Sequence, residues 1–310
     1  MAVASALLYL LLLLQLELRV GVSKDFTDFV LAEESDRLRR TCGERVRWKK
    51  TVRKHTFKVL NGRKAAPNQF PMAVALRRKG QNGNQSTVHS VRAGAARLPK
   101  KSKKWRKIKK ILVHPEYQMR EGASECAHNG RDIAILILEK EIARKRFDKG
   151  RVGVACLPSE NRSLDDSPTK FAYGWGYNPK TGAASDRLLM IRMAVMKKDQ
   201  CKKLAAQDTN RHAPSEDTIC AWEGNSNVCN GDSGGPMLQE ASVDKLKLEV
   251  VGIVSWGTSC ETMMDRGWID SVRFPGTLFT DVRRYTKWVC QRTGICYQIP
   301  AAELTKIMIS

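Results

Sequence analysis

The segment CNGDSGGP, residues 229–236, constrains the chain more than any other stretch of its sequence. Three glycines surround one aspartate–serine pair, and glycine adopts backbone conformations that are costly for other residues. The segment therefore predicts a tight turn that lifts the hydroxyl of Ser233 out of the backbone. Neighbouring N–H groups would point at one position beside it, which suits an activated serine.

Short apolar runs separated by Gly, Asn and Pro follow one another from Val59 onward. They are FPMAVAL, KKILV, DIAILIL, LLMIRMAVM and LEVVGIVSW. Runs of this length and spacing are typical of strands in an antiparallel barrel or sandwich. A helix is predicted from about Thr280 to Gln291, because its apolar residues fall on one face and Gly294 follows. With 310 residues and 42% hydrophobic composition, the chain can bury a substantial core.

The N-terminal region differs from the rest in composition. An apolar run from Ala6 to Leu14 is too short to span a bilayer comfortably, so residues 1–23 are predicted to be a cleaved signal peptide. An uncleaved anchor is the alternative, because no early Lys or Arg precedes the run. Residues 24–58 are polar and basic, and we interpret them as a propeptide. The main domain is expected at residues 59–296 and a tail at residues 297–310.

Nine cysteines behind a predicted signal peptide indicate an oxidising compartment and a disulfide framework. The odd count leaves at least one thiol without an internal partner. Sequons at Asn84 and Asn161 predict glycosylated surface loops, although such triplets also arise by chance. We expect a secreted, extracellular protein without a membrane span.

The formal net charge of +22 is concentrated in places. The run KKSKKWRKIKK holds eight cations and no acid, at Lys100, Lys101, Lys103, Lys104, Arg106, Lys107, Lys109 and Lys110. Such density attracts polyanions, and for an extracellular protein it favours a sulfated polysaccharide or an anionic cell surface over specific nucleic acid. The alternative is a solvated basic face with no specific partner.

Further segments accompany the turn in a family's order: KVLNG at residues 58–62, then FPMAVAL, ILVHPEY, RDIAILIL, ACLP, YGWG, VGIVSWG and TDVRRYTKWV. Together they resemble the chymotrypsin/trypsin-like serine proteases, over about Val59 to Cys290. The resemblance implies an all-β fold of two packed antiparallel β-barrels with a C-terminal α-helix. It also implies a serine endopeptidase that acts on protein substrates, and we expect neither a cofactor nor a metal.

The resemblance assigns roles to individual residues. Ser233 matches the nucleophile, and Asp132 matches the carboxylate that orients a catalytic histidine. The backbone N–H groups of Gly231 and Ser233 match the oxyanion hole. Asp232 matches the buried acid that pairs with the new amine of Val59 after cleavage behind Lys58, which implies an activating protease that prefers basic residues.

The substrate pocket follows from the same comparison. Ser255, Trp256 and Gly257 match the strand that pairs with extended substrate and forms one pocket wall. Gly276 is assigned to the same pocket, although an extra residue after it departs from the family's pattern. Asn227 falls where trypsin-like members hold an aspartate. Because a neutral amide cannot pair with substrate Lys or Arg as a charge would, a trypsin-like preference is unsupported.

The family's disulfides can be placed in the same way. Implied pairs are Cys201–Cys220 and Cys229–Cys260, with Cys42–Cys156 keeping the propeptide attached after cleavage. A local Cys290–Cys296 bridge is our choice for two of the remaining cysteines. Cys126 has no assignment.

The catalytic histidine of the family has no counterpart in this chain. FPMAVALRRKG passes directly into QNGNQSTVHSVRAG, which resembles the part that follows the histidine. The two cysteines that bracket the histidine loop are also absent, which indicates loss of one continuous block through a deletion, an alternative transcript or a skipped exon. The loss would remove about two strands from the N-terminal barrel, opening sheet edges and exposing core.

The five histidines of the chain are poor replacements, because a general base must come within about 3 Å of the serine hydroxyl. They are His55, His89, His114, His128 and His212. Loss of the base typically costs about a millionfold in turnover, so the chain is predicted to be nearly inert. Two functions stay open: an endopeptidase active in a form that contains the block, or a non-catalytic homologue that binds polyanions or a partner protease.

Overall fold

The computed structural model describes residues 32–43, 62–81, 84–98, 105–117, 130–165, 167, 169–179, 181–206, 214–224, 226–241, 247–264 and 276–297. The strands are β1 (Arg63–Lys64), β2 (Val74–Gln81), β3 (Asn84–Ala93), β4 (Arg106–Val113), β5 (Ala134–Leu138), β6 (Lys170–Gly174), β7 (Tyr177–Asn178), β8 (Ala183–Ala184), β9 (Leu189–Val195), β10 (Thr218–Trp222), β11 (Pro236–Glu240), β12 (Leu248–Gly257) and β13 (Thr277–Asp281). The α-helices are α1 (Ala32–Thr41), α2 (Lys145–Asp148), α3 (Lys198–Ala206) and α4 (Thr286–Thr293), and 3-10 helices lie at Thr262–Met264 and Val282–Tyr285.

The C-terminal half of the protein forms a closed barrel. Seven strands are ordered β1-β9-β10-β13-β12-β11-β6, and β6 also pairs with β9, so six strands close on themselves. Ile191, Met237, Val251 and Phe279 fill the interior and are at most 4% exposed. Closure pairs the edges that an open sheet would leave free.

The N-terminal half forms an antiparallel sheet of four strands in the order β2-β3-β4-β5. Among the described strands, none connects β2 to β5, so this sheet stays open. Four large apolar side chains on it are 43–52% exposed: Val74, Leu76, Ile111 and Val113. The predicted all-β class is confirmed, and the open sheet has the exposed apolar surface expected of an incomplete barrel.

A second apolar cluster attaches the segment before β2 to the closed barrel. Phe70 and Tyr173 have ring centroids 4.6 Å apart, and Leu188, Leu238 and Leu248 pack in the same cluster at no more than 1% exposure. This cluster holds the start of the four-stranded sheet against β6 and β11, which positions the two sheets for the site described below.

Helix α1 lies in the segment interpreted as a propeptide, and the sequence analysis did not predict it. Its sequence, AEESDRLRRT, is almost without apolar residues. The structure anchors its end covalently through Cys42–Cys156, while Gly43 donates to Val154 O at 2.6 Å and accepts from Leu248 N at 3.0 Å. Backbone hydrogen bonds and a disulfide therefore replace the apolar face by which a helix is usually recognised.

The predicted C-terminal helix is real, but its predicted start is wrong. Asp281 still pairs with Gly252 as the last residue of β13, so the chain is extended there. The Asp281 carboxylate then accepts from Arg283 N at 3.2 Å and caps the 3-10 turn that leads into α4. Among the described residues, no helix is long and apolar enough to cross a membrane.

Four disulfides join described cysteines. They are Cys42–Cys156, Cys201–Cys220, Cys229–Cys260 and Cys290–Cys296. The first three are the pairs implied by the resemblance, and the fourth is the local bridge chosen for the C-terminus. Cys126 lies outside the described residues.

Cleavage between α1 and β1 should leave α1 attached to the rest of the protein, because Cys42–Cys156 bridges the cut. We expect limited proteolysis after Lys58 to give one species on a non-reducing gel and two after reduction. A Cys42→Ser variant is the control and should release the N-terminal piece without reductant. Release of that piece from the parent under non-reducing conditions would contradict the pairing.

Candidate active site

The turn at residues 229–235 has the tight geometry that its glycines predict. Gly231 and Gly234 have φ angles of 92° and 78°, in the left-handed region that favours glycine. Asp232 N donates to Cys229 O at 2.9 Å, and Gly235 N donates to Asp232 O at 2.8 Å. Ser233 is exposed at the apex, and no hydrogen bond joins its side chain to another described residue.

Strand β12 fastens this turn to the closed barrel. Gly234 N donates to Val254 O at 2.8 Å, and Val254 N donates to Gly235 O at the same distance. These two backbone hydrogen bonds fix the position of the turn relative to β12. Ser233, one residue before Gly234, is thereby held close to the strand.

The next residue of β12 binds the acid predicted to orient a histidine. Ser255 Oγ donates to Asp132 Oδ2 at 2.6 Å, and Thr280 Oγ1 on β13 donates to the backbone carbonyl of Asp132 at 2.8 Å. Asp132 precedes β5 of the four-stranded sheet. Adjacent residues of one strand, Val254 and Ser255, therefore bring the serine turn and Asp132 together from different parts of the chain.

The backbone before Asp132 is held in an uncommon conformation. Gly130 and Arg131 have φ angles of 84° and 59°, and Arg131 N donates to Asp217 Oδ2 at 2.7 Å. Asp217 also accepts hydrogen bonds from Ser215 and from the hydroxyl of Tyr285. Burial raises the pKa of Asp217, but these hydrogen bonds, together with one from its own backbone, outweigh burial and hold the pKa below its ordinary value.

Asp217 was not among the site residues predicted from the sequence. It belongs to no motif quoted for the resemblance, and the conformation that it supports at Arg131 has no sequence signature. The polar segment SEDT, residues 215–218, indicates a turn but not which part of the chain the turn binds.

The carboxylate of Asp232 is buried under the turn, where it is 3% exposed. It accepts from Gly176 N at 2.7 Å and from Cys229 N at 2.9 Å. Burial raises the pKa of Asp232 to about 6, although both hydrogen bonds act to lower it. No described cation pairs with this carboxylate. Lys58 and Val59, predicted to supply the cut and the amine, lie outside the described residues.

Asn227 is fully buried, and both ends of its amide are occupied. Its Nδ2 donates to Thr258 O at 3.2 Å, and its Oδ1 accepts from Thr277 Oγ1 at 2.5 Å. The side chain thus bridges the end of β12 and the start of β13. The structure places it between the two segments predicted to wall a pocket, with its polar atoms already satisfied.

The predicted pocket walls are adjacent strands. Gly257 pairs with Thr277, and Thr258 N donates to Gly276 O at 3.0 Å. A Cβ on Gly257 would come within 2.7 Å of Gly276 O, so this position has no room for a side chain without backbone movement. Trp256, half-buried, packs against a cluster that contains Leu278.

Neither described histidine hydrogen-bonds to Asp132 or to Ser233. His114 is half-buried with its ring 5.3 Å from Tyr285 and 5.0 Å from Trp288, and burial lowers its pKa. Its Nδ1 accepts from Glu116 N at 3.3 Å. His89 is exposed on β3 and lines a groove along β4. His55, His128 and His212 lie outside the described residues.

Part of the cationic run is visible on β4. Lys107, Lys109 and Lys110 are exposed, whereas Arg106 is half-buried. The other four cations, Lys100, Lys101, Lys103 and Lys104, lie outside the described residues.

Of the two predicted glycosylation sites, Asn161 is exposed in a turn. Asn84 is the first residue of β3, and its side chain is not among those described.

Comparison with known proteins agrees with this geometry. The family model described as Trypsin matches residues 59–289. A curated relative, the urokinase-type plasminogen activator of Gallus gallus, is 27% identical over 187 residues. The matched part is 59% of this chain and 38% of that protein, so the chain spans well under half the length of this relative.

The buried carboxylate of Asp232 should make stability depend on pH. Its folded pKa of about 6 exceeds the ordinary value of 3.8, so the folded state binds more protons in between, and the free energy of unfolding should fall as pH rises through that window. Two pKa units correspond to about 3 kcal/mol. Urea unfolding at stepped pH should show this fall in the parent and not in Asp232→Asn. Parallel pH profiles for the two proteins would contradict the assignment.

Proposed function

Since the chain belongs to the trypsin family of serine proteases, we propose that it is a secreted serine-endopeptidase-family protein with its nucleophile assembled and its general base missing. The observation that carries this proposal is the attachment of both the serine turn and Asp132 to consecutive residues of β12. An unrelated use of the scaffold would not require these two groups to meet.

Ser233 is the proposed nucleophile, with the N–H groups of Gly231 and Ser233 as the oxyanion hole. Within the described part of the chain, neither N–H donates to a protein acceptor, whereas those of Asp232, Gly234 and Gly235 all do. Two unengaged donors at the apex of a rigid turn are suited to hold the negative charge of a tetrahedral intermediate.

Among the described residues, the same site holds no group placed to remove the proton of Ser233. Asp132 accepts a hydrogen bond from Ser255 and cannot replace a histidine, because a carboxylate is a weaker general base for a hydroxyl than an imidazole. His114 is engaged with Tyr285 and Trp288, and His89 belongs to the β4 groove. We therefore expect the chain as written to be nearly inert, with a loss of about a millionfold relative to a complete triad.

Activation is proposed to follow cleavage behind Lys58. The new amine of Val59 would enter the space around Asp232 and neutralise a carboxylate whose pKa is raised by burial. An activating protease with a preference for basic residues would make the cut. Helix α1 would stay attached through Cys42–Cys156.

We propose that the pocket does not select substrates by a Lys or Arg side chain. Asn227 is neutral and buried, and Thr258 and Thr277 already hydrogen-bond its amide, so it offers no charge to a substrate Lys or Arg.

Secretion is supported by the four disulfides, and Asn161 is exposed as a glycosylated sequon requires.

A second candidate function is a non-catalytic module that binds polyanions or a partner protease. The exposed ammonium groups of Lys107, Lys109 and Lys110 favour it, since they continue the cationic run that begins at Lys100. A sulfated polysaccharide could contact several of these cations together and release counterions on binding.

Labelling with a fluorophosphonate tests the catalytic proposal. Because the proposal leaves Ser233 without a general base, the recombinant chain should not react with the probe, before or after cleavage behind Lys58. Ser233→Ala serves as the blank. Stoichiometric labelling of the parent that disappears in Ser233→Ala would overturn the inactive assignment.

Heparin chromatography tests the second candidate. The parent should be retained at physiological salt, and replacing Lys100, Lys101, Lys103 and Lys104 with Ala should lower the salt needed for elution. Residues 24–58 are also basic, so both proteins are compared before and after their removal. An unchanged elution position without those residues would mean that the run is a solvated face only.

A further inference from the structure

The four-stranded sheet has one apolar face, which the strand register defines. Leu76 pairs with Val91, and Val91 pairs with Arg106, so these positions share a face. Two residues further along β4, Ile108 pairs with Leu138, while Ile111 pairs with Leu136 beyond a bulge. Since Leu136 and Leu138 lie on the same side of β5, the face continues across all four strands.

The four exposed large apolar residues of this sheet all belong to this face. Val74 is two residues from Leu76, and Val113 is two residues from Ile111, so alternation places all four on the same side. They are 43–52% exposed, whereas Val91 on the inner strand β3 is 4% exposed. The exposed members of this face thus lie on the edge strand β2 and the inner strand β4. An open groove of about 740 Å³ borders Ile108 and Ile111 and is also lined by Lys107, Lys109 and Lys110.

The opposite face of the same strands is cationic. Arg77 pairs with Ser90, and Ser90 pairs with Lys107, which puts two exposed cations in one row. Arg92, paired with Ala75, lies on this face as well. The sheet thus presents mainly apolar side chains on one side, with Arg106 half-buried among them, and exposed positive charge on the other.

Strand β2 is an edge strand of the sheet and carries residues of both the apolar and the cationic face. Among the described strands, β3 is its one neighbour, and β2 carries Val74 and Leu76 on the apolar side and Arg77 on the cationic side. A strand edge with unpaired backbone groups is a template for another extended segment. The other edge, β5, is shorter and begins next to Asp132, which Ser255 and Thr280 already bind.

We propose that the free edge of β2 binds, by strand addition, an extended segment of a partner protein in which apolar and acidic residues alternate. The apolar side chains of that segment cover Val74 and Leu76, and its carboxylates face Arg77, whose guanidinium lies 4.2 Å from the ring centroid of Trp105. The two-residue period of a strand matches both faces at once. This binding site does not depend on Ser233 or on any catalytic activity.

Three kinds of partner could bind this edge: a second copy of the chain, a sulfated polysaccharide or an acidic strand. The charge of the chain favours the last. A second copy would bring two chains of formal charge +22 together, which electrostatic repulsion disfavours. A sulfated polysaccharide satisfies the cations but has neither a backbone to pair with β2 nor side chains to cover Leu76. An acidic, apolar strand satisfies all three features.

Binding of a synthetic peptide tests the proposal. The probe is a fluorescent peptide of alternating valine and glutamate, and the control peptide has the same composition with its valines in one block. We expect fluorescence anisotropy to give about tenfold tighter binding for the alternating peptide. Equal affinity for both peptides would mean that charge alone attracts them and would overturn strand addition.

Substitutions locate the site on β2. Val74→Thr with Leu76→Thr keeps strand propensity and every charge, and should weaken binding of the alternating peptide by about tenfold. Met264→Thr is the matched control, because Met264 is similarly exposed outside the four-stranded sheet. Unchanged binding in the double variant, or a dimer in sedimentation equilibrium of the parent alone that the double variant abolishes, would overturn the proposal. Unaltered heparin elution and thermal unfolding would show that the double variant is folded.

Discussion

The hydrogen bond from Ser255 to Asp132 joins the two sheets at the place where the serine turn is also attached. Val254, the preceding residue, exchanges two backbone hydrogen bonds with the turn. The position of β12 in the closed barrel, between β11 and β13, fixes its backbone on both sides. The closed barrel therefore fixes the position of the site, even though the four-stranded sheet is open.

The close packing beneath the turn explains why glycine is required nearby. A Cβ on Gly174 would come within 1.8 Å of Asp232 Oδ1, and one on Gly176 would come within 2.3 Å of Asp232 Oδ2. Because neither glycine has a side chain, Gly176 N can hydrogen-bond to the buried carboxylate. The YGWG segment and the serine turn are thus one packed unit, and the raised pKa of Asp232 is the cost of burying a charge there without a described cation.

Much of this arrangement follows from the sequence, because the turn and the apolar runs carry local signals. The glycine pattern around Ser233 indicates the turn, and short apolar runs locate β9 and β12 to within two residues. The sequence could not indicate that Asp217 supports Arg131, since that contact joins residues 86 positions apart without a motif. Nor could it reveal that Asn227 is saturated, because the partners of a buried amide depend on the pairing of β12 with β13. Helix α1 escaped prediction for a related reason, as its attachment is covalent and polar.

The central claim, an assembled nucleophile that lacks only its base, is tested most directly by supplying the base from solution. The measurement is the release of p-nitrophenol from p-nitrophenyl acetate by the chain cleaved behind Lys58, at increasing imidazole, after subtraction of the same reaction with Ser233→Ala. The account predicts no Ser233-dependent release in buffer alone and an increase that follows the imidazole concentration. A Ser233-dependent burst without imidazole would contradict it, because another group of the chain would then be acting as the base.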